Sequence, residues 1–76
     1  MNHTFTILIQ KEDEGFVALC PELDIASQGP SIPEARENLK EAVELFFEAA
    51  DPSEVERRWN TETYITSLEV TVGKAA

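Results

Sequence analysis

The side chains best equipped for chemistry in this sequence are its carboxylates. Glu12, Asp13 and Glu14 stand in a row, Glu22 and Asp24 follow two residues apart, and Glu69 lies near the carboxy end. Grouped acids can shuttle protons or hold a hard cation such as magnesium, provided some are enclosed in a cleft. Here they fall in polar runs that read as loops or solvated faces, where acidic residues ordinarily lie. His3 is the single histidine and sits near the amino end, with no second ligand beside it in sequence. It reads as a frayed terminal residue rather than a base or metal ligand. Cys20 is the single cysteine, so no intrachain disulfide or thiolate metal cage can form, and its neighbours Ala18, Leu19 and Pro21 mark a structural strand position. No nucleophile motif, phosphate-binding glycine loop or metal-ligand spacing occurs, and neither a catalytic site nor a cofactor is expected.

Arg57-Arg58-Trp59 is the one basic–aromatic cluster. It suits either an interface anchor or a structural role in which Trp59 closes the end of the core beside Phe46 or Phe47. Fifteen acidic against six basic side chains give a net charge of −9 on 76 residues. Such a surface repels phosphate, so nucleic acid is excluded as the expected direct ligand and a basic partner is favoured. The start of the chain lacks the basic and apolar regions of a signal peptide, and no apolar run reaches membrane-spanning length. The cytoplasm is the expected compartment, with no membrane association.

The element that must organise these residues runs from Ser31 to Ala50. Ser31 with Glu34 three residues on is a capping-box signature, and Pro33 is tolerated in the first turn. A helix starting near Ile32 is predicted. At about 100° per residue, Ile32, Ala35, Leu39, Ala42, Val43, Phe46 and Ala50 share one face, with Phe47 and Ala49 at its margins. Glu34, Glu37, Lys40, Glu41, Glu44 and Glu48 fall mostly on the other. Leu45 lies off the stripe, either as a lone exposed residue or as part of an interface.

A stripe of this kind needs cover, because an isolated helix of this length is marginal in water. β-Branched and aromatic runs predict strands at Phe5–Ile9, Phe16–Cys20, Ile25–Gln28 and Thr63–Val72. The polar run 11–15 between the first two predicts an antiparallel hairpin, with Gly15 the residue most able to supply a positive φ. Asp51-Pro52 is a second helix start, expected to reach Trp59. The order is βββαβ in one α+β domain spanning residues 1–76, a single sheet layer packed on one main helix. A helix ~10–12 Å wide cannot cover four strands spaced ~4.8 Å apart. Part of a face or an edge is therefore left over, and a homo-oligomer or a bound partner is expected.

The ordered features Asp13-Glu14-Gly15-Phe16, Cys20-Pro21-Glu22-Leu23, Ser27-Gln28-Gly29, and Ser31 with Glu34-Ala35-Arg36-Glu37-Asn38 resemble the amino-terminal domain of HicB-family antitoxins. The resemblance implies a partial ribonuclease H-like fold without nuclease activity. It also implies a partner, a small basic HicA-like ribonuclease that cleaves messenger RNA and is occluded by the antitoxin. Contacts to that toxin are expected among Glu12, Asp13, Glu14, Glu22 and Asp24. Longer members of the family carry a carboxy-terminal DNA-binding domain. This sequence ends at Ala76, just beyond the last predicted strand, so direct DNA binding is not expected. Two other readings stand beside this one: an oligomeric interaction module serving another pathway, and a small metal-dependent hydrolase using the carboxylates.

Overall fold

The computed structural model describes residues 2–73. Three antiparallel strands, β1 (Leu8–Glu12), β2 (Gly15–Cys20) and β3 (Ile25–Gly29), form one sheet in that order. They are followed by α1 (Ile32–Ala49) and α2 (Pro52–Arg58). The arrangement is α+β, a single sheet layer with α1 packed on one side.

The capping box forms as expected. Ser31 Oγ accepts the Glu34 N–H at 3.2 Å and donates to the Glu34 carboxylate at 2.9 Å. Asp51 caps α2 in the same way, accepting the Glu54 N–H at 3.2 Å, with Pro52 in the first turn. Trp59 closes that helix by donating its N–H to the Val55 carbonyl.

The first strand lies three residues later than the sequence predicts. Leu8 pairs with Leu19 and Glu12 with Gly15, so only Asp13 and Glu14 form the connecting turn. The polar residues Lys11 and Glu12, expected in the loop, are drawn into the ladder by that tight turn. Upstream, β2 ends at Cys20 and Pro21 has no N–H to offer, so Phe5 to Ile7 stay outside the ladder. The positive φ in the turn belongs to Asp13, at 49°, and no glycine adopts one. Gly15 instead meets a packing demand: a Cβ there would stand 3.0 Å from the Gly29 carbonyl oxygen.

The core is small. Ala18 and Cys20 of β2, Leu23 of the following turn, and Ala35 and Leu39 of α1 are fully buried. Phe5, Ile7, Ile9, Phe16, Ile25, Val43, Phe46, Phe47 and Trp59 pack around them, each half-buried. Ile32, assigned to the buried stripe from its spacing, is 49% exposed, because it lies at the helix start beyond the sheet. Leu45 is 56% exposed and belongs to no core cluster.

The register sorts the sheet faces. Ile9, Ala18 and Ser27 share one row on the helix side, and Leu8, Leu19 and Ala26 share a row on the opposite side. That opposite side is uncovered. On the helix side α1 packs chiefly against β3 and β2 and barely reaches β1.

The predicted fourth strand is corrected. Among the described residues 63–72 have no strand partner, and Tyr64, Ile65, Leu68, Val70 and Val72 are all exposed. The alternation is that of a strand, but the described residues supply it no neighbour.

Candidate functional site

The acids assigned to partner contact from the sequence lie at two opposite ends of the sheet. Glu12, Asp13 and Glu14 sit at the β1–β2 turn, and Glu22 and Asp24 at the β2–β3 turn. Six-residue β2 separates them, a span of about 17–20 Å at ~3.3 Å per residue.

At the first end, the hairpin acids border an open concavity of about 520 Å³, together with Phe16, Gln28, Pro30 and Asn38. All three carboxylates face solvent. Lys11 is the cation among them. Its ammonium donates to the Asp13 carbonyl at 3.3 Å and lies 5.4 Å from the centre of the Phe16 ring.

At the second end the acids do structural work. Both oxygens of Glu22 accept the Thr6 N–H, at 3.2 and 3.1 Å, and Oε1 also accepts the Cys20 thiol at 3.6 Å. Partial burial pushes the Glu22 carboxyl upward, but the hydrogen bonds from Thr6 and Cys20 outweigh it and leave the pKa below the usual carboxylate value. Cys20 moves the other way, raised by burial and by the neighbouring Glu22 charge, so it stays a neutral thiol. Asp24 takes a left-handed φ of 56°, which a short polar side chain tolerates, and so turns the chain into β3.

Arg58 fastens this turn to α2. Its guanidinium donates to the Leu23 carbonyl from Nε at 3.2 Å and from Nη2 at 3.0 Å, and Nη2 also reaches the Asp24 carbonyl at 3.1 Å. The same group lies 5.5 Å from the centre of the Phe46 ring. The sequence cluster containing Arg58 and Trp59 is therefore a fastening. Trp59 packs tilted against Phe5 and edge-on against Phe47 and His3, at centroid distances of 5.3, 5.4 and 4.9 Å. His3, expected to fray, packs across Phe5 and Trp59 instead.

A feature that loop-centred reasoning passed over is carried by α1. Glu34, Glu37, Glu41, Glu44 and Glu48 recur at alternating steps of three and four, and all are exposed. They form one acidic line about 21 Å long at ~1.5 Å per residue. Within that line one ion pair is present, between Arg36 and Glu37 at 3.5 Å. Asn38 is the residue of α1 that lines the concavity bordered by the hairpin acids. The spacing was visible in the sequence as the helix's polar face.

A second concavity, about 1050 Å³ and open, runs between the amino-terminal segment and α1. Phe5, Ile7, Val43, Phe47 and Trp59 line it, with Lys40 and Glu44 at its rim. Among the described residues no three of His, Cys, Asp or Glu come together as a metal-binding group. No helix is long and apolar enough to cross a membrane.

The chain is similar to a UPF0150 protein of Synechocystis sp., with 43% identity over 49 residues. The matched stretch covers 62% of this chain and 62% of that relative. No family model matches the chain, and no solved structure matches it.

Proposed function

We propose that the chain is a non-catalytic antitoxin of the HicB type, which binds and occludes a small basic HicA-like ribonuclease. The observation that carries this reading is the exposure of two acidic sets, Glu12, Asp13 and Glu14 at the hairpin turn and the glutamate line of α1. Like charges three and four apart on a helix each cost about 0.2–0.5 kcal/mol, a penalty that a basic partner relieves. Complementary charge also speeds encounter and selects among partners. The ordered motifs that resemble HicB-family antitoxins supply the partner's identity, and the UPF0150 name of the matched relative assigns it no activity.

The contact surface is then the hairpin acids together with the glutamate face of α1. The Glu22 carboxylate is engaged within the fold and supports the turn. The reading requires no cofactor, no metal and no contact with DNA.

The test is calorimetry with a small basic HicA-like ribonuclease, at low and high salt, coupled to an assay of RNA cleavage. Tight, salt-weakened binding that stops cleavage supports the reading. Replacing Glu12, Asp13 and Glu14 together by Ala then weakens binding while the circular dichroism spectrum is kept. Two folded proteins that fail to bind would remove it. The alternative, an oligomeric interaction module in another pathway, is favoured by one observation of its own, the unpaired segment 63–72.

A further inference from the structure

The unpaired segment has the composition of an inner strand. From Thr63 to Val72 the chain alternates, with Leu68, Val70 and Val72 on one side and Ser67, Glu69 and Thr71 on the other. Leu68 is 85% exposed and Val72 81%, where an isolated soluble chain gains nothing from displaying them. The segment also stands off the body. The Cα radius of gyration is 15.4 Å and the longest extent 51 Å, whereas a compact chain of this length has a radius near ~11 Å.

Its departure is fixed by local hydrogen bonds. The Asn60 N–H donates to the Glu22 carbonyl at 2.8 Å, anchoring the end of α2 to the β2–β3 turn. Asn60 Oδ1 accepts the Glu62 N–H at 3.0 Å, and the Asn60 carbonyl accepts the Thr63 hydroxyl at 3.3 Å. These bonds set the exit direction of the arm.

The body has a matching vacancy at one edge. The outer edge of β3 is already partly engaged, since Asn38 donates to the Gln28 carbonyl at 2.8 Å. β1 is open. The Thr6 N–H points toward the β2 side, to Glu22, so by alternation the N–H and C=O groups of Ile7, Ile9 and Lys11 face outward along the free edge. Beside that edge lies the apolar concavity lined by Phe5, Ile7, Val43 and Phe47, which α1 leaves uncovered. A strand added at β1 places alternate side chains there, and Leu68, Val70 and Val72 are the apolar set that fills it.

We propose that two copies of this chain exchange their carboxy-terminal arms, residues 63–72 of each adding as a fourth strand to the β1 edge of the other. The exchange is reciprocal, so each arm and each edge is used once and assembly closes at two. It removes an exposed sheet edge and an exposed apolar strand together. The proposal does not rest on the antitoxin reading, and a dimer with or without a toxin partner satisfies it.

Sedimentation equilibrium of the full chain is expected to give twice its 8.5 kDa mass. In a dimer mixed from differently isotope-labelled chains, methyl contacts of Val70 with Val43 and Ile7 are expected between chains. Leu68→Asp and Val70→Pro, each at a residue exposed in the single chain, are expected to abolish the dimer while leaving the helical circular dichroism intact. A monomeric wild-type chain overturns the proposal, whether its β1 edge amides are exposed or protected by its own arm. So does a dimer whose Val70–Val43 contacts arise within one chain, or one that survives both substitutions.

Discussion

Gly29 and Ala35 are in contact so close that a Cβ on Gly29 would stand 2.7 Å from the Ala35 backbone nitrogen and 2.9 Å from the Glu34 carbonyl carbon. Both obstacles are backbone, in the first turn of a capped helix, so neither yields by changing a rotamer. This approach brings α1 down onto β3 and seals Ala35 and Leu39 over Ala18 and Cys20. Gly29→Ala is therefore expected to destabilise by about 1–3 kcal/mol, through overpacking rather than backbone strain. Urea unfolding followed by circular dichroism measures it. Gly15→Ala, facing a single carbonyl oxygen at 3.0 Å, is the milder control.

Arg58 joins the second helix to the turn between β2 and β3 through three donor contacts on two carbonyls. Lysine can donate to one carbonyl but cannot present the planar fork or lie flat against Phe46. Arg58→Lys and Arg58→Ala are both expected to lower stability, by about 1–2 kcal/mol, as charged-donor bonds that are partly exposed ordinarily do. Faster amide exchange at Asn60, whose N–H is held on the adjoining Glu22 carbonyl, should accompany the loss.

The helices were legible because their signals are local. Ser31 with Glu34, and Asp51 with Pro52, specify hydrogen bonds within four residues, and those bonds form. The boundary of β1 was not legible, because it depends on its partner: Phe5 and Ile7 look more strand-like than Lys11 and Glu12, yet β2 ends before reaching them. The run 63–72 fails for a related reason. Alternation declares a strand but not the edge it joins. For the candidate site, the acids at 12–14 and those at 22 and 24 looked alike in sequence. What sets Glu22 apart is the Thr6 N–H, brought in from the amino-terminal segment, and the Cys20 thiol two residues before it, both of which engage its carboxylate.

Glu22 and Asp51 both have pKa values held below their ordinary ones. For Glu22 desolvation acts upward but the bonds from Thr6 and Cys20 prevail. For Asp51 the Ser53 hydroxyl and the Glu54 N–H lower it. Each folded chain thus binds these protons less readily than the unfolded chain. Their stabilisation is complete above the unfolded carboxylate pKa and is lost as pH falls through the folded value. The melting temperature is expected to drop below about pH 4.5, and Glu22→Gln should flatten that drop. Cys20 contributes in the opposite sense, its raised pKa withdrawing stability as the solution becomes alkaline enough to ionise the thiol of the unfolded chain.

The glutamate line of α1 supplies a prediction in which stability and recognition part company. Glu41 has Glu37 four residues before it and Glu44 three after, and all three side chains are exposed. Each like-charge neighbour costs a few tenths of a kcal/mol at low salt. Glu41→Gln removes two such repulsions and is expected to stabilise the folded chain by about 0.3–1 kcal/mol, a gain that shrinks as salt screens the charges. If the acidic surface receives a basic partner, the same substitution slows association with it, because fewer charges steer the encounter. Thermal melts at two ionic strengths, run beside stopped-flow association with a small basic HicA-like ribonuclease, separate the outcomes. A variant that is more stable yet binds more slowly marks Glu41 as a recognition residue held against the interest of the helix. One that is more stable and binds at an unchanged rate assigns this stretch of α1 to the solvent and leaves the hairpin acids as the contact.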